Sequence, residues 1–195
     1  YGIGMFRKGA YRQAEEAFRQ VAAFDRPEGP LNLARVFIEE GRLDEAVSAL
    51  QEAARKGAYP WSVAWFSALV DMQNGEFDAA IDGFLSLFTT QFNEARERGF
   101  DFSLNYRLRN KLAQAYFEKS KISKDERRWL KMSEEHYRAA AELDPENVTA
   151  HYGLTQVYNR LGERDLATRH RELHEIYRVD DNAHDRAVAI ARKND

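Results

Sequence analysis

Apolar side chains recur three and four positions apart along much of this chain, which is the period of an α-helix with one buried stripe. The clearest case is Gly41, Leu43, Ala46, Val47, Leu50 and Ala53. The same frame returns as Gly9, Tyr11, Ala14 and Phe18, then as Gly75, Phe77, Ala80 and Phe84, and more weakly as Gly162 and Ala167. Gly9 and Gly41 are 32 residues apart, and Gly41 and Gly75 are 34. A second stripe precedes the glycine in each unit: Leu33, Ala34 and Phe37, then Leu112, Ala113 and Tyr116, then Leu154 and Tyr158. The pattern predicts two antiparallel helices per unit and no sheet. Gly9, Gly41, Gly75 and Gly162 can each take the left-handed conformation that ends a helix, while the unit around Tyr116 has Ser120 in that slot.

The chain divides accordingly. Residues 1–26 are an incomplete first unit, ending in a helix over 10–24 whose apolar face is Tyr11, Ala14, Phe18 and Val21. Full units follow at 27–60, 61–94, 106–147 and 148–181. Gly75 and Gly162 lie 87 residues apart, two periods with nineteen residues to spare. The surplus predicts inserts at 95–105 and 120–127, with irregular chain near 95–105 and 119–127; the charged stretch 118–128 reads as a solvated loop or a helix extension. Asp180–Asn182 can cap a last helix, 182–193, whose single stripe of Ala183, Ala187, Ile190 and Ala191 suits a lid over the final unit.

A period near 34 carrying one helix-turn-helix resembles the tetratricopeptide (TPR) family, and the resemblance spans nearly the whole chain. It implies an all-α, right-handed superhelical solenoid of about four and a half repeats plus a C-terminal capping helix. The tail 171–187 is more loosely similar to the end of TPR regions in bacterial proteins associated with secreted multihaem cytochromes.

Composition narrows the chemistry. The 195 residues are 44% hydrophobic and 31% charged, too apolar for a disordered chain. The net charge of −3 offers no broad basic field, so nucleic acid is not an expected partner. Cysteine is absent, which excludes thiolate metal sites, disulfides and covalent haem attachment within the chain. No apolar run reaches the ~18 residues that cross a bilayer. The chain begins without a Met inside a helical frame, as a fragment of a larger bacterial protein would; periplasmic or extracellular location is favoured over cytoplasmic.

The TPR resemblance implies that the first helix of each repeat lines a concave groove. By frame, Asn32 and Arg35 face it from the second repeat, with Trp65, Phe66, Leu69 and Met72 from the third. Lys111 and Gln114 follow from the fourth, and Tyr152 and Gln156 from the fifth. Aromatic anchors with a polar rim are what protein-binding hot spots use. Some TPR domains grip a C-terminal carboxylate with Lys and Asn, but Asn32, Arg35 and Lys111 echo only part of that set. The helix Trp61–Met72 is apolar on nearly all sides, with Asp71 where the family usually has an aromatic. A helix apolar all round is buried all round or has a partner. The rings of Phe100 and Phe102 in the insert are placed to cover part of it.

The expected function is therefore a non-catalytic scaffold holding a protein or peptide partner, with no cofactor. One alternative is self-assembly of solenoid ends into an oligomer or filament. Another is a metal site at His170 and His174, which stand one helical turn apart, with His184 as a third ligand; the zincin pattern fails because Arg171 replaces the glutamate. Asn147-Val-Thr149 matches a glycosylation acceptor but sits in a helix-start turn. No phosphate loop or nucleophile elbow is present.

Overall fold

The computed structural model describes residues 1–90 and 92–178. Within them are eleven α-helices, one short 3-10 turn and no strand. In order these are α1 (Gly2–Arg7), α2 (Tyr11–Ala22), α3 (Glu28–Glu39), α4 (Leu43–Arg55), α5 (Pro60–Gln73) and α6 (Phe77–Thr89). The one-turn α7 (Asn93–Glu97) and the 3-10 turn Phe102–Leu104 precede α8 (Tyr106–Ile122) and α9 (Glu126–Leu143). Then come α10 (Val148–Leu161) and α11 (Arg164–Tyr177). The expected capping helix at 182–193 lies outside the described residues.

Four of the turns are built alike. Gly9, Gly41, Gly75 and Gly162 all have φ between 71 and 80°. Beyond each, an amide reaches back across the turn: Ala10 to the Met5 carbonyl, Arg42 to Phe37, Glu76 to Asp71 and Glu163 to Tyr158, at 2.8–3.0 Å. This closes the carbonyls that a helix end leaves open, and only glycine adopts the required φ without strain. The pairs α1–α2, α3–α4, α5–α6 and α10–α11 are thereby fixed as hairpins.

Each hairpin buries its small residues where the helices come nearest. Ala46 and Ala80 have no exposed surface. At the junction of the first two repeats, a Cβ on Gly29 would stand 2.4 Å from the Ala22 backbone, so the approach of α3 to α2 requires glycine there. Apolar contacts then run on from repeat to repeat. One cluster joins Phe18, Leu33, Phe37 and Leu50, a second joins Trp61, Phe84, Leu112 and Tyr116, and a third joins Leu130, Tyr137, Leu154 and Tyr158.

Several expectations fail here for physical reasons. The charged insert is a helix extension and not a loop: α8 and α9 lengthen to 17 and 18 residues, and irregular chain within 119–127 shrinks to Ser123–Asp125. The added turns carry their own stitches, with Trp129 Nε1 donating to Ser123 Oγ at 2.9 Å and its ring stacked on Tyr116. The segment 95–105 is not wholly irregular either, since Ala95 is buried in α7. Val21 and Val47, assigned to buried faces, are 38% and 40% exposed.

Candidate interaction groove

The first helices α1, α3 and α5 of three successive repeats lie side by side, and their facing stripes enclose a hollow of about 230 Å³. Its walls are Phe6, Ile38, Trp65, Phe66 and Leu69, with Arg35 and Glu39 beside them. Helical period alone brings Trp65, Phe66 and Leu69 to one side of α5. Trp65 is braced edge-on against Phe84 of α6, ring centroids 5.6 Å apart. Met72, one turn further, is half-buried in the second core cluster.

Arg35 gives the hollow its polarity. Its guanidinium lies 4.8 Å from the Phe6 ring centroid and 5.9 Å from that of Phe66, a cation over two aromatic faces. Its Nη1 donates to Asn32 Oδ1 at 2.9 Å, while Asn32 Nδ2 donates to the Glu28 carbonyl. Asn32 therefore positions the arginine. Burial holds the Arg35 pKa below the usual arginine value, and Arg7 nearby adds to that.

The other expected residues are more dispersed. Lys111 and Gln114 of α8 are half-buried and in contact, the Lys111 ammonium 3.4 Å from Gln114 Oε1. Tyr152 of α10 is 54% exposed, tilted against His174 at 5.4 Å, and Gln156 is half-buried one turn on. Asn32, Arg35, Trp65, Phe66 and Leu69 are thus brought into one place. Met72, Lys111, Gln114, Tyr152 and Gln156 are not part of that hollow.

The insert does not cover these rings in the expected manner. Phe100 is 53% exposed, and Phe102 packs edge-on to Phe92, which packs in turn on Trp61. Tyr59 stacks on the other face of this group, 4.6 Å from Trp61, with the Arg98 guanidinium over it. The insert therefore clamps the start of α5 through Trp61 and leaves Trp65 and Phe66 to the groove. Two aromatics flanking Pro60, Tyr59 and Trp61, were the available signal, but nothing in the period identified Phe92 and Phe102 as their partners.

Three polar arrangements went unread in the sequence. Asn147, the glycosylation-like site, is buried and caps α10 by accepting from the Ala150 amide at 2.8 Å; it also accepts from Asn110 Nδ2 at 2.9 Å. Asn110 is a core residue. His136 lies sandwiched between Phe88 and Tyr116, with Arg109 3.3 Å from its Nδ1; burial and that guanidinium keep its pKa low. His151 Nε2–H donates to the Pro145 carbonyl at 2.9 Å, and its Nδ1 lies 3.0 Å from His170 Nδ1.

That last contact bears on the histidine pair. His170 Nδ1 is engaged by His151, and His174 Nδ1–H donates to the Val148 carbonyl at 3.1 Å. Burial, then His151 and the cations Arg169 and Arg138, push the His170 pKa down to about 4. A metal cation would meet the same unfavourable charges. Among the described residues no group of three or more His, Cys, Asp or Glu side chains could hold a metal ion. His184 lies outside them. Nor is any described helix long and apolar enough to cross a membrane.

Repeated hairpins with glycine turns, stacked so that first helices share one face, define a tetratricopeptide repeat protein. The family model described as protein kinase G tetratricopeptide repeat matches residues 5–189, and the chain belongs to that family. No curated protein sequence matches it. Among solved structures, PilF of Pseudomonas aeruginosa is similar with a TM-score of 0.69 at 14% identity, over 92% of this chain and 74% of that one. MamA of Desulfovibrio magneticus RS-1 gives 0.66 at 16% identity, covering 92% and 93%. MamA of strain AMB-1 gives 0.62 at 18% identity, covering 90% and 94%. At such identities these likenesses speak to the fold, an all-α TPR solenoid. The similarity of 171–187 to cytochrome-associated repeats receives no support from them.

Proposed function

We propose that this chain is a non-catalytic scaffold that holds a protein or peptide partner in its concave groove, with the α1–α3–α5 hollow as the anchor. The observation that carries this reading is the hollow itself: three apolar walls from three repeats around a half-buried arginine that Asn32 holds in place. Large rings next to an oriented cation suit a peptide carrying an apolar side chain, because burying one such chain contributes about 1.5–3 kcal/mol. Lys111, Gln114, Tyr152 and Gln156 continue along the first helices of later repeats and would extend the contact as polar rim.

The test begins with peptides selected from a displayed random library against the intact protein. Their affinity is then measured by fluorescence polarisation. Trp65→Ala is expected to weaken binding about tenfold or more, with helical circular dichroism preserved. Lys124→Ala, on the exposed turn between α8 and α9, is expected to leave it unchanged. Equal affinity of wild type and Trp65→Ala for every selected peptide would place the binding surface elsewhere.

A further inference from the structure

The position four residues before the turn glycine is Met5 before Gly9 in the incomplete first repeat, Phe37 before Gly41, Asp71 before Gly75 and Tyr158 before Gly162. In α8 the equivalent is Tyr116. Phe37, Tyr116 and Tyr158 are buried, each packed with the second helix of the preceding repeat. Phe37 lies in one cluster with Ala14 and Phe18 of α2, and Tyr116 with Ile81 and Phe84 of α6. Tyr158 lies with Leu130 and Tyr137 of α9, its hydroxyl donating to Glu134. In α5 that position, Asp71, carries no ring.

Where that ring would be, between α4 and α5, there is a hollow of about 290 Å³ lined by Val47, Leu50, Ala54, Val63 and Val70, with Asp71 at its edge. The missing aromatic explains why Val47 is exposed. Among the described residues no cation comes within 4 Å of the Asp71 carboxylate, and burial together with the charge of Glu76 raises its pKa. Comparison with the preceding repeat sharpens the point. Five residues after Phe37 stands Arg42, its guanidinium 4.3 Å from the centroid of that ring. Five residues after Asp71 stands Glu76. A ring and a cation in one repeat are replaced in the next by an apolar hollow and two carboxylates.

We propose that this hollow is a second interaction site, one that takes an arginine side chain of a partner protein. The methylenes would lie against Val47, Leu50, Val63 and Val70, and the guanidinium would meet Asp71. Arginine suits it better than lysine: its planar fork matches a carboxylate bidentately, and it is more weakly hydrated. The site shares no residue with the groove, and the two stripes of α5, Trp65–Phe66–Leu69 and Val63–Ser67–Val70, serve one each. This accounts for a helix that is apolar on nearly all sides.

The probe is butylguanidinium, with butylurea as its uncharged isostere, titrated into the ¹⁵N-labelled intact chain. Amide shifts at Val47, Gln51, Ser67 and Asp71 should saturate with butylguanidinium, and butylurea should bind about tenfold more weakly or worse. Asp71→Asn should abolish that difference. Asp71→Phe, which restores the ring found in repeat 2, should abolish binding of both and raise the melting temperature. Equal binding of the two probes, persistence of the preference in Asp71→Asn, or no saturable shift at these amides would overturn the proposal. Because Trp65→Ala should leave this titration untouched, failure here is distinct from failure of the groove.

Discussion

Gly29 and His170 show how much single residues decide in this chain. A Cβ at Gly29 would collide with backbone atoms of Ala22, which cannot rotate away, so α3 must shift. Gly29→Ala is expected to cost roughly 1–3 kcal/mol, the usual range for overpacking, despite alanine's better helix propensity. Chemical denaturation would read this as a lower midpoint at unchanged slope. His170 supplies a pH dependence of known sign. Its pKa falls from 6.5 in the free side chain to about 4 in the fold, so the unfolded chain takes up a proton that the native state resists. Stability contributed by the neutral ring is whole above pH 6.5 and declines as pH falls from there toward 4. His136, whose pKa is also low, acts in the same direction. Melting temperatures measured across that window should fall less steeply in His170→Gln than in the wild type; parallel curves would show that the His170 ring is not buried as described.

At the scale of elements, the turn glycines and the alanines of closest approach govern. Ala80 is fully buried on α6 in the second cluster. Ala80→Leu should overpack that junction at a cost of about 1–3 kcal/mol, and an unchanged melting temperature would mean the phase of α6 is different. The pairing of helices was legible in the sequence because glycine at a positive φ leaves a fixed mark, as at Gly41 and Gly75. The extension of α8 and α9 was not. Ser120–Arg128 is charged and lacks turn residues, which suits a long exposed helix as well as a loop, and the outcome depends on Trp129 reaching Tyr116 and Ser123 across the hairpin. Val47 was misplaced for a similar reason: it borders the same hollow as Asp71, 24 positions away in sequence. Of the groove, α5 could be read from its all-round apolarity, whereas Phe6 and the orienting bond from Asn32 to Arg35 required the three helices to be in register.

Over the whole molecule, the solenoid presents two different surfaces. First helices supply the aromatic hollow around Arg35, and the seam between α4 and α5 supplies a second, acidic-edged one. Arg42 joins repeats on the surface, its guanidinium bonded to Glu15 of α2 at 2.8 Å and to Glu45 of α4 at 2.6 Å. Such exposed pairs are individually weak. Arg42→Ala should cost only about 1 kcal/mol even with the loss of its stacking on Phe37. Stability should instead follow the continuous apolar core, with nearest-neighbour repeats coupled most strongly.

The central claim, that the concave face of the first helices is the binding surface, is tested most directly by methyl NMR. The protein would be labelled at isoleucine, leucine, valine and methionine methyls and saturated with a peptide selected against the intact chain. The account predicts large shifts at Ile38 and Leu69, which line the hollow, and none at the exposed Ile122, at the end of α8, or Leu166 of α11. Shifts confined to Ile122, to Leu166 or to methyls of the second helices, with Ile38 and Leu69 unmoved, would contradict it.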